Sequence, residues 1–91
     1  MRIGIIGAGS MGAGIAQVAA SVDCNVKIYD QSKEVCEKAL IKLDKILNRL
    51  IEKGRIDDIK KKSIQDNISI ISDIVDLKDS DLVIEAIIEN E

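Results

Sequence analysis

The sequence predicts an α/β chain that opens a doubly wound parallel sheet. Three observations predict it. Short aliphatic strand candidates alternate with segments of helical period, in the order β-α-β-α-α-β-β. A glycine-rich turn, Gly7 to Gly12, joins the first strand candidate to the first helix candidate. An acidic residue, Asp30, closes the second strand candidate 23 residues after Gly7. Strands alternating with helices imply a parallel sheet with the helices packed on it, and the right-handed crossover rule fixes the hand.

Taken in order, Arg2 to Ile6 reads as a short buried strand carrying Ile3, Ile5 and Ile6. Met11 to Ser21 follows as a helix with Ile15, Ala16 and Ala19 on one face. It stops near Asp23, where glycine is the usual residue but aspartate tolerates a left-handed conformation better than most. Val26 to Tyr29 is the second strand, closed by Asp30. Ser32 is placed to cap a long helix whose apolar stripe is Cys36, Ala39, Leu40, Leu43, Ile46, Leu47, Leu50 and Ile51. Lys53 and Gly54 give that helix a basic last turn and a glycine stop. Asp57 caps a shorter helix reaching about Asp66, and Ile68 to Ile71 is the third strand. Asp73 to Ser80 connects, with room for one helical turn, to a fourth strand over Leu82 to Ala86. In the doubly wound order, strand four lies beside strand one.

Composition narrows the function classes. The chain of 91 residues is one domain at most, with 46% hydrophobic and 32% charged residues, a globular balance. Tyr29 is the only aromatic residue, and isoleucine dominates the apolar set. With no histidine, the chain lacks the usual general acid or base near neutral pH. Cys24 and Cys36 have neither a metal-ligand spacing nor a CxxC pairing, and read as reduced thiols of a cytoplasmic protein. Residues 3 to 22 form an uncharged run of 20, long enough to span a bilayer. Five glycines, Ser10 and Gln17 break its apolar density, and Arg2 alone precedes it, so neither a membrane span nor a signal peptide is expected.

The net charge of −3 is uneven: residues 33 to 62 carry ten basic and six acidic residues, a net of +4, while the remainder carries −7. That basic stretch is open to two readings, a solvated helix face or a surface for a phosphorylated ligand. Nucleic acid is not an expected partner, since the chain is acidic overall and has no set of stacking aromatics.

Gly7-Ala8-Gly9-Ser10-Met11-Gly12 fits GxGxxG and has the context that pattern needs, after a strand and opening a helix. Gly7 permits the tight turn, Gly9 lets backbone approach a pyrophosphate, and Gly12 lets helix and strand pack closely. The helix N-terminus offers free N–H groups and partial positive charge to the phosphates. A carboxylate at Asp30 can accept from both hydroxyls of an adenine ribose and repels a 2′-phosphate, which favours NAD over NADP. These features together read as a partial Rossmann unit.

With those residues in view, the chain resembles the 3-hydroxyacyl-CoA dehydrogenases, especially the bacterial 3-hydroxybutyryl-CoA type. The resemblance runs through IGIIGAGSMGAGIAQVAA (Ile3 to Ala20), the strand end Tyr29-Asp30-Gln31, and Glu52-Lys53-Gly54-Arg55-Ile56. Most specific is Asp81 to Asn90, DLVIEAIIEN, similar to the family's fourth strand and following loop. It covers the whole chain. It implies that Gly7, Ala8, Gly9, Ser10, Met11 and Gly12 cradle the NAD pyrophosphate and that Asp30 holds the ribose. It further implies that Glu89 contacts the nicotinamide side and that Lys53 meets the phosphorylated part of a coenzyme A thioester. A second polar contact usual in the family falls on Ile46 here and is not carried over.

The family's catalytic histidine–glutamate pair and its helical domain fall beyond Glu91, so residues 1–91 are expected to be the first part of the NAD-binding domain, without catalytic residues. As these 91 residues alone, the expectation is cofactor binding without turnover, and self-association through the exposed edge of strand four into a homo-oligomer. The alternative from the same residues is a stand-alone, non-catalytic NAD-binding module.

Overall fold

The structure, a computed structural model, describes residues 1–86. Strand β1 (Arg2–Ile6), helix α1 (Ser10–Ser21), β2 (Asn25–Tyr29), α2 (Lys33–Glu52), α3 (Asp58–Asp66), β3 (Ile68–Ile71) and β4 (Leu82–Glu85) follow in order, with one 3-10 turn at Ile74–Leu77 before β4. The four strands form one parallel sheet in the order β3-β2-β1-β4, the start of a Rossmann fold. The expected connector thus contains its helical turn, as 3-10. The fourth strand ends one residue earlier than the sequence predicts, at Glu85, and Ala86 donates its N–H to the Ile6 carbonyl instead.

Register explains the isoleucine-rich composition. Ile68, Val26, Ile3 and Leu82 lie side by side across the sheet, and Ile70, Ile28, Ile5 and Ile84 form the next such row. Because side chains alternate along a strand, both rows face the same side. The helices cover that side. Ala13, Ala16, Ala19 and Ala20 are buried on α1, and Cys36, Ala39, Leu43 and Leu47 are buried on α2. The predicted α2 stripe is wider than the one observed. Leu40 is 46% exposed, because its spacing from Leu43 and Leu47 sets it off the buried line of 36, 39, 43 and 47.

The opposite side of the sheet carries Gly4, Lys27, Ser69 and Val83 in one row. Leu77, from the 3-10 turn, packs over Gly4: a Cβ there would come within 2.8 Å of the Leu77 Cδ2 and the Ser80 Oγ.

Helix ends follow the local chemistry. The Ser32 hydroxyl accepts from the Val35 N–H, and the Asp57 carboxylate accepts from the Lys60 N–H. Asp23 has φ 66°, and the N–H groups of Asp23 and Cys24 donate to the carbonyls of Ala20 and Ala19. That is a Schellman closure with aspartate in glycine's place. Gly54 (φ 71°) closes α2 in the same way, with Gly54 and Arg55 donating to Ile51 and Leu50.

α2 and α3 are tied by a polar cluster. Lys61 Nζ lies 2.9 Å from Asp44 Oδ1 and donates to Asn48 Oδ1 at 2.7 Å, while Gln65 donates to the same Asp44 oxygen. The hydrogen bond from Lys61, reinforced by its charge, holds the Asp44 carboxyl below the usual carboxylate range. The Arg2 backbone N–H does the same for Asp81. A carboxylate whose folded pKa is depressed stabilises fully above its unfolded value, near pH 4, and that contribution is lost as pH falls through the folded value. Urea midpoints measured from pH 7 down to pH 2 should therefore drop on the acid side. Asp44→Asn should lower the neutral midpoint and flatten the acid drop; an acid limb as steep as the parent's would count against this role for Asp44.

Candidate functional site

The site forms where β1 and β2 end. Gly7 has φ 108°, a conformation that favours glycine, and its N–H donates to the Tyr29 carbonyl at 2.7 Å. This bond ties the turn to the end of β2. Gly12, in the first turn of α1, faces the Gly7 carbonyl oxygen so closely that a Cβ would overlap it, with Ile5 Cγ2 3.4 Å from the same position. Gly9 differs: a Cβ there would meet nothing within 4 Å. Its open side leaves room for a ligand at the backbone, while Gly12 is used up in packing. Ser10 and Met11 open α1, whose N-cap Gly9 offers no side-chain cap and whose first turn holds no acidic residue. The N-terminal N–H groups are therefore left for an anion.

Asp30 stands beside this turn. Its Oδ2 accepts from the Ala8 N–H at 2.8 Å, and its Oδ1 accepts from the Ser32 N–H at 2.8 Å. Each oxygen retains a further lone pair, so two ribose hydroxyls can still be accepted. The spacing of Asp30 from Gly7 pointed to a ribose contact and missed this second role, as the latch between glycine turn and α2. The Ser32 half is a local turn of a type aspartate favours, readable in principle from Asp30-Gln31-Ser32. The Ala8 half joins residues 22 apart and has no local signal.

A cleft of about 380 Å³ lined by Ile6, Gly7, Tyr29, Asp30, Gln31 and Ile74 opens at the same place. Its apolar walls against one carboxylate suit a flat, half-polar ring system attached to a ribose. Nothing in the sequence singled out Ile74, which reaches the cleft only through the 3-10 turn. A separate cleft at the other end of the sheet, lined by Arg2, Lys27, Asn67 and Asp79 among others, is remote from the strand C-terminal ends, where open α/β sheets bind ligands.

Lys53 is not brought to this place. It caps α2 at its C-terminal end, exposed, while Asp30 and Ser32 stand at its start. A 20-residue helix separates them, about 30 Å along its axis. Of the neighbouring lysines, Lys60 donates to the Ser21 carbonyl and Lys61 is held in the α2–α3 cluster. Those two cations join helices, so the basic stretch is in part structural. Glu89 lies outside the described residues. Burial pushes the Cys36 thiol up, with the Asp30 charge adding to the effect, so this cysteine is a packed apolar group beside the site and not a nucleophile. Among the described residues no group of three or more metal-ligating side chains occurs, and no helix is long and apolar enough to cross a membrane.

Comparison with known proteins agrees with this geometry. Residues 2–91 match the family described as 3-hydroxyacyl-CoA dehydrogenase, NAD binding domain. A Deinococcus radiodurans protein named probable 3-hydroxybutyryl-CoA dehydrogenase is 42% identical over 91 residues, covering 100% of this chain and 32% of its own length. A Bacillus subtilis protein of the same name is 43% identical over 89 residues, with 98% and 31% covered. The crystal structure of (S)-3-hydroxybutyryl-CoA dehydrogenase from Ralstonia eutropha superposes with a TM-score of 0.93 at 40% identity, covering 99% of this chain and 32% of that one. The chain spans about a third of the length of the curated relatives it matches. With NAD as its cofactor, this chain belongs to the NAD-binding domain family of the 3-hydroxyacyl-CoA dehydrogenases.

Proposed function

We propose that this chain is the dinucleotide-binding part, residues 1–91, of an NAD-dependent enzyme that interconverts 3-hydroxyacyl-CoA and 3-oxoacyl-CoA. 3-Hydroxybutyryl-CoA is the proposed substrate, and the setting is cytoplasmic fatty acid metabolism. The observation that carries this reading is the joint arrangement at the turn: Gly9 open to solvent, Gly12 packed on Gly7, and Asp30 latched to Ala8 with acceptor capacity to spare. In it, the backbone of Gly7 to Gly12 holds the pyrophosphate, Asp30 holds the ribose, Glu89 serves the nicotinamide side, and Lys53 meets the phosphorylated end of the coenzyme A thioester.

NAD supplies the hydride acceptor. The hydroxyl proton of the substrate must go to a base within hydrogen-bond reach. The chain has no histidine, the usual base near neutral pH. These 91 residues therefore orient the cofactor, and the proton step belongs to groups outside them.

Calorimetric titration with NADH and NADPH tests the reading. NADH should bind at least about tenfold more tightly, because the 2′-phosphate meets the Asp30 carboxylate, and Asp30→Ala should erase the preference. Equal binding by the parent chain would sink it. The chain mixed with NADH and acetoacetyl-CoA should show no absorbance loss above background; turnover abolished by Gly9→Val would show that the base lies within these residues.

The proposed assembly is a homo-oligomer. Leu82 and Val83 on β4 are 47% and 46% exposed, and among the described residues β4 pairs with β1 alone, on one side. No lysine or proline blunts that edge. Light scattering of the 91-residue chain should show association that strengthens with salt as Asp81 and Glu85 are screened. A monomer at all concentrations and salts would refute it.

A further inference from the structure

The 3-10 turn at Ile74–Leu77 lies on the sheet face opposite the helices, and two neighbouring strand positions hold it there. Gly4 on β1 and Lys27 on β2 are register partners on that face. Gly4 gives the turn room: Leu77 is buried over it, within 2.8 Å of where a Cβ would stand. Lys27 gives the turn a bond: its ammonium donates to the Asp76 carbonyl at 3.2 Å. Among the described residues, the other hydrogen bonds of residues 73–80 run within that stretch, from Val75 and Asp76 to Asp73, from Lys78 to Val75 and from Ser80 to Leu77. The Lys27 bond is thus the polar tie between this turn and the sheet. Two residues further along the same strands, Ile6 and Tyr29 are again register partners and face the same side. They line the cleft of about 380 Å³ beside Asp30, and Ile74, the first residue of the turn, completes its wall. Ile74 is 50% exposed, so burial does not fix it and its place is set by the turn.

We infer that Lys27 is a positioning residue for the dinucleotide: through the Asp76 carbonyl it holds the turn so that Ile74 walls the cleft against the adenine ring. The inference rests on the proposed contact between Asp30 and the adenine ribose, which puts the adenine beside this cleft. It goes beyond that contact by assigning a residue that touches no part of the ligand. Lys27 lies three residues before Asp30 on β2, about 10 Å along the strand, with its ammonium turned to the Asp76 carbonyl. The two anchors of the turn differ in kind. The seat at Gly4 is apolar contact of one side chain and sets no direction, whereas a charge-assisted bond to a carbonyl is directional. With the seat alone, the turn can rock about Leu77 and carry Ile74 away from Ile6 and Tyr29. An apolar wall held in place matters to the ligand because a flat ring gains from the area it buries only where the wall is already standing.

The test titrates NADH and ADP-ribose calorimetrically into the parent chain, Lys27→Met, Lys27→Arg, Ile74→Ala and the double variant Lys27→Met/Ile74→Ala. Lys27→Met keeps the apolar stem and removes the donor, and should weaken both ligands about threefold to tenfold. ADP-ribose lacks the nicotinamide, so an equal loss for it places the effect at the adenine half. Lys27→Arg retains a donor and should stay within about twofold of the parent. Ile74→Ala should weaken binding by itself, and the double variant should be no weaker than Ile74→Ala, because the turn then has no wall left to place. A merely structural role for Lys27 would make the two losses add. Circular dichroism melts check that each variant is folded. If Lys27→Met does not fold, Gly4→Ala takes its place: it displaces Leu77 at the other anchor and should show the same non-additivity with Ile74→Ala. Parent-like affinity in the folded Lys27 variant, additive losses, or a loss for NADH that ADP-ribose does not share overturns the inference. A parent chain that binds neither ligand removes the dinucleotide reading together with this one, whereas a binding parent with an unaffected Lys27→Met removes this one alone.

Discussion

The Asp30 carboxylate accepts from backbone N–H groups on both sides of it, Ala8 in the glycine turn and Ser32 at the cap of α2. These two bonds, with that from the Gly7 N–H to the Tyr29 carbonyl, lock the end of β1 to the end of β2. The remaining parts of the site depend on this junction. It sets where α1 begins, how Gly9 is presented, and which way α2 leaves the sheet. A ribose that hydrogen-bonds Asp30 therefore adds to acceptors already oriented by the fold, so little ordering is left for the ligand to impose.

Close approach is the second constraint. α1 lies on the sheet with Ala13, Ala16, Ala19 and Ala20, and Gly12 meets the Gly7 carbonyl at its start. Small residues leave the helix near the strands and put the N-terminal N–H groups at the level of the strand ends. The bulk missing from α1 is supplied by the sheet, whose two rows of isoleucine, valine and leucine face it. This is why one tyrosine suffices as the aromatic content. The core is a stack of branched aliphatics against alanines, dense without large rings.

Most of this was legible because it is local. The strand and helix periods place each strand and α-helix to within one residue, and Asp23 is readable as a left-handed stop because aspartate tolerates that conformation. The GxGxxG pattern and the distance to Asp30 pointed to the dinucleotide turn for the same reason. What escaped is non-local. No period shows that Leu77 packs over Gly4 across the sheet, that Ile74 walls a cleft, or that Ala8 bonds Asp30. The lysines 60 to 62 looked alike in sequence, yet Lys60 bonds the end of α1 and Lys61 is drawn into the Asp44 cluster, because α3 crosses both helices there. Leu40 falls outside the buried stripe because a stripe read by spacing alone has no edge until the sheet beneath fixes its width.

α2 presents two faces, one buried and apolar, the other exposed and basic. Its buried line from Cys36 to Leu47 holds it against the sheet and α1. Its Schellman closure at Gly54 stops it one residue after Lys53, which is exposed at the helix end. Leu50, in its last turn, also packs against the core, so the helix end is held by apolar contact as well as by the glycine stop. The glycine turn and Asp30 lie within the first 30 positions, whereas the exposed basic face extends over the next 23. A helix anchored on one side by the Asp30 junction and on the other by Lys61 is stiff enough to keep that face at a fixed distance from Gly9. Under the proposed function, such a spacer would keep two phosphorylated ligands in the orientation that hydride transfer requires.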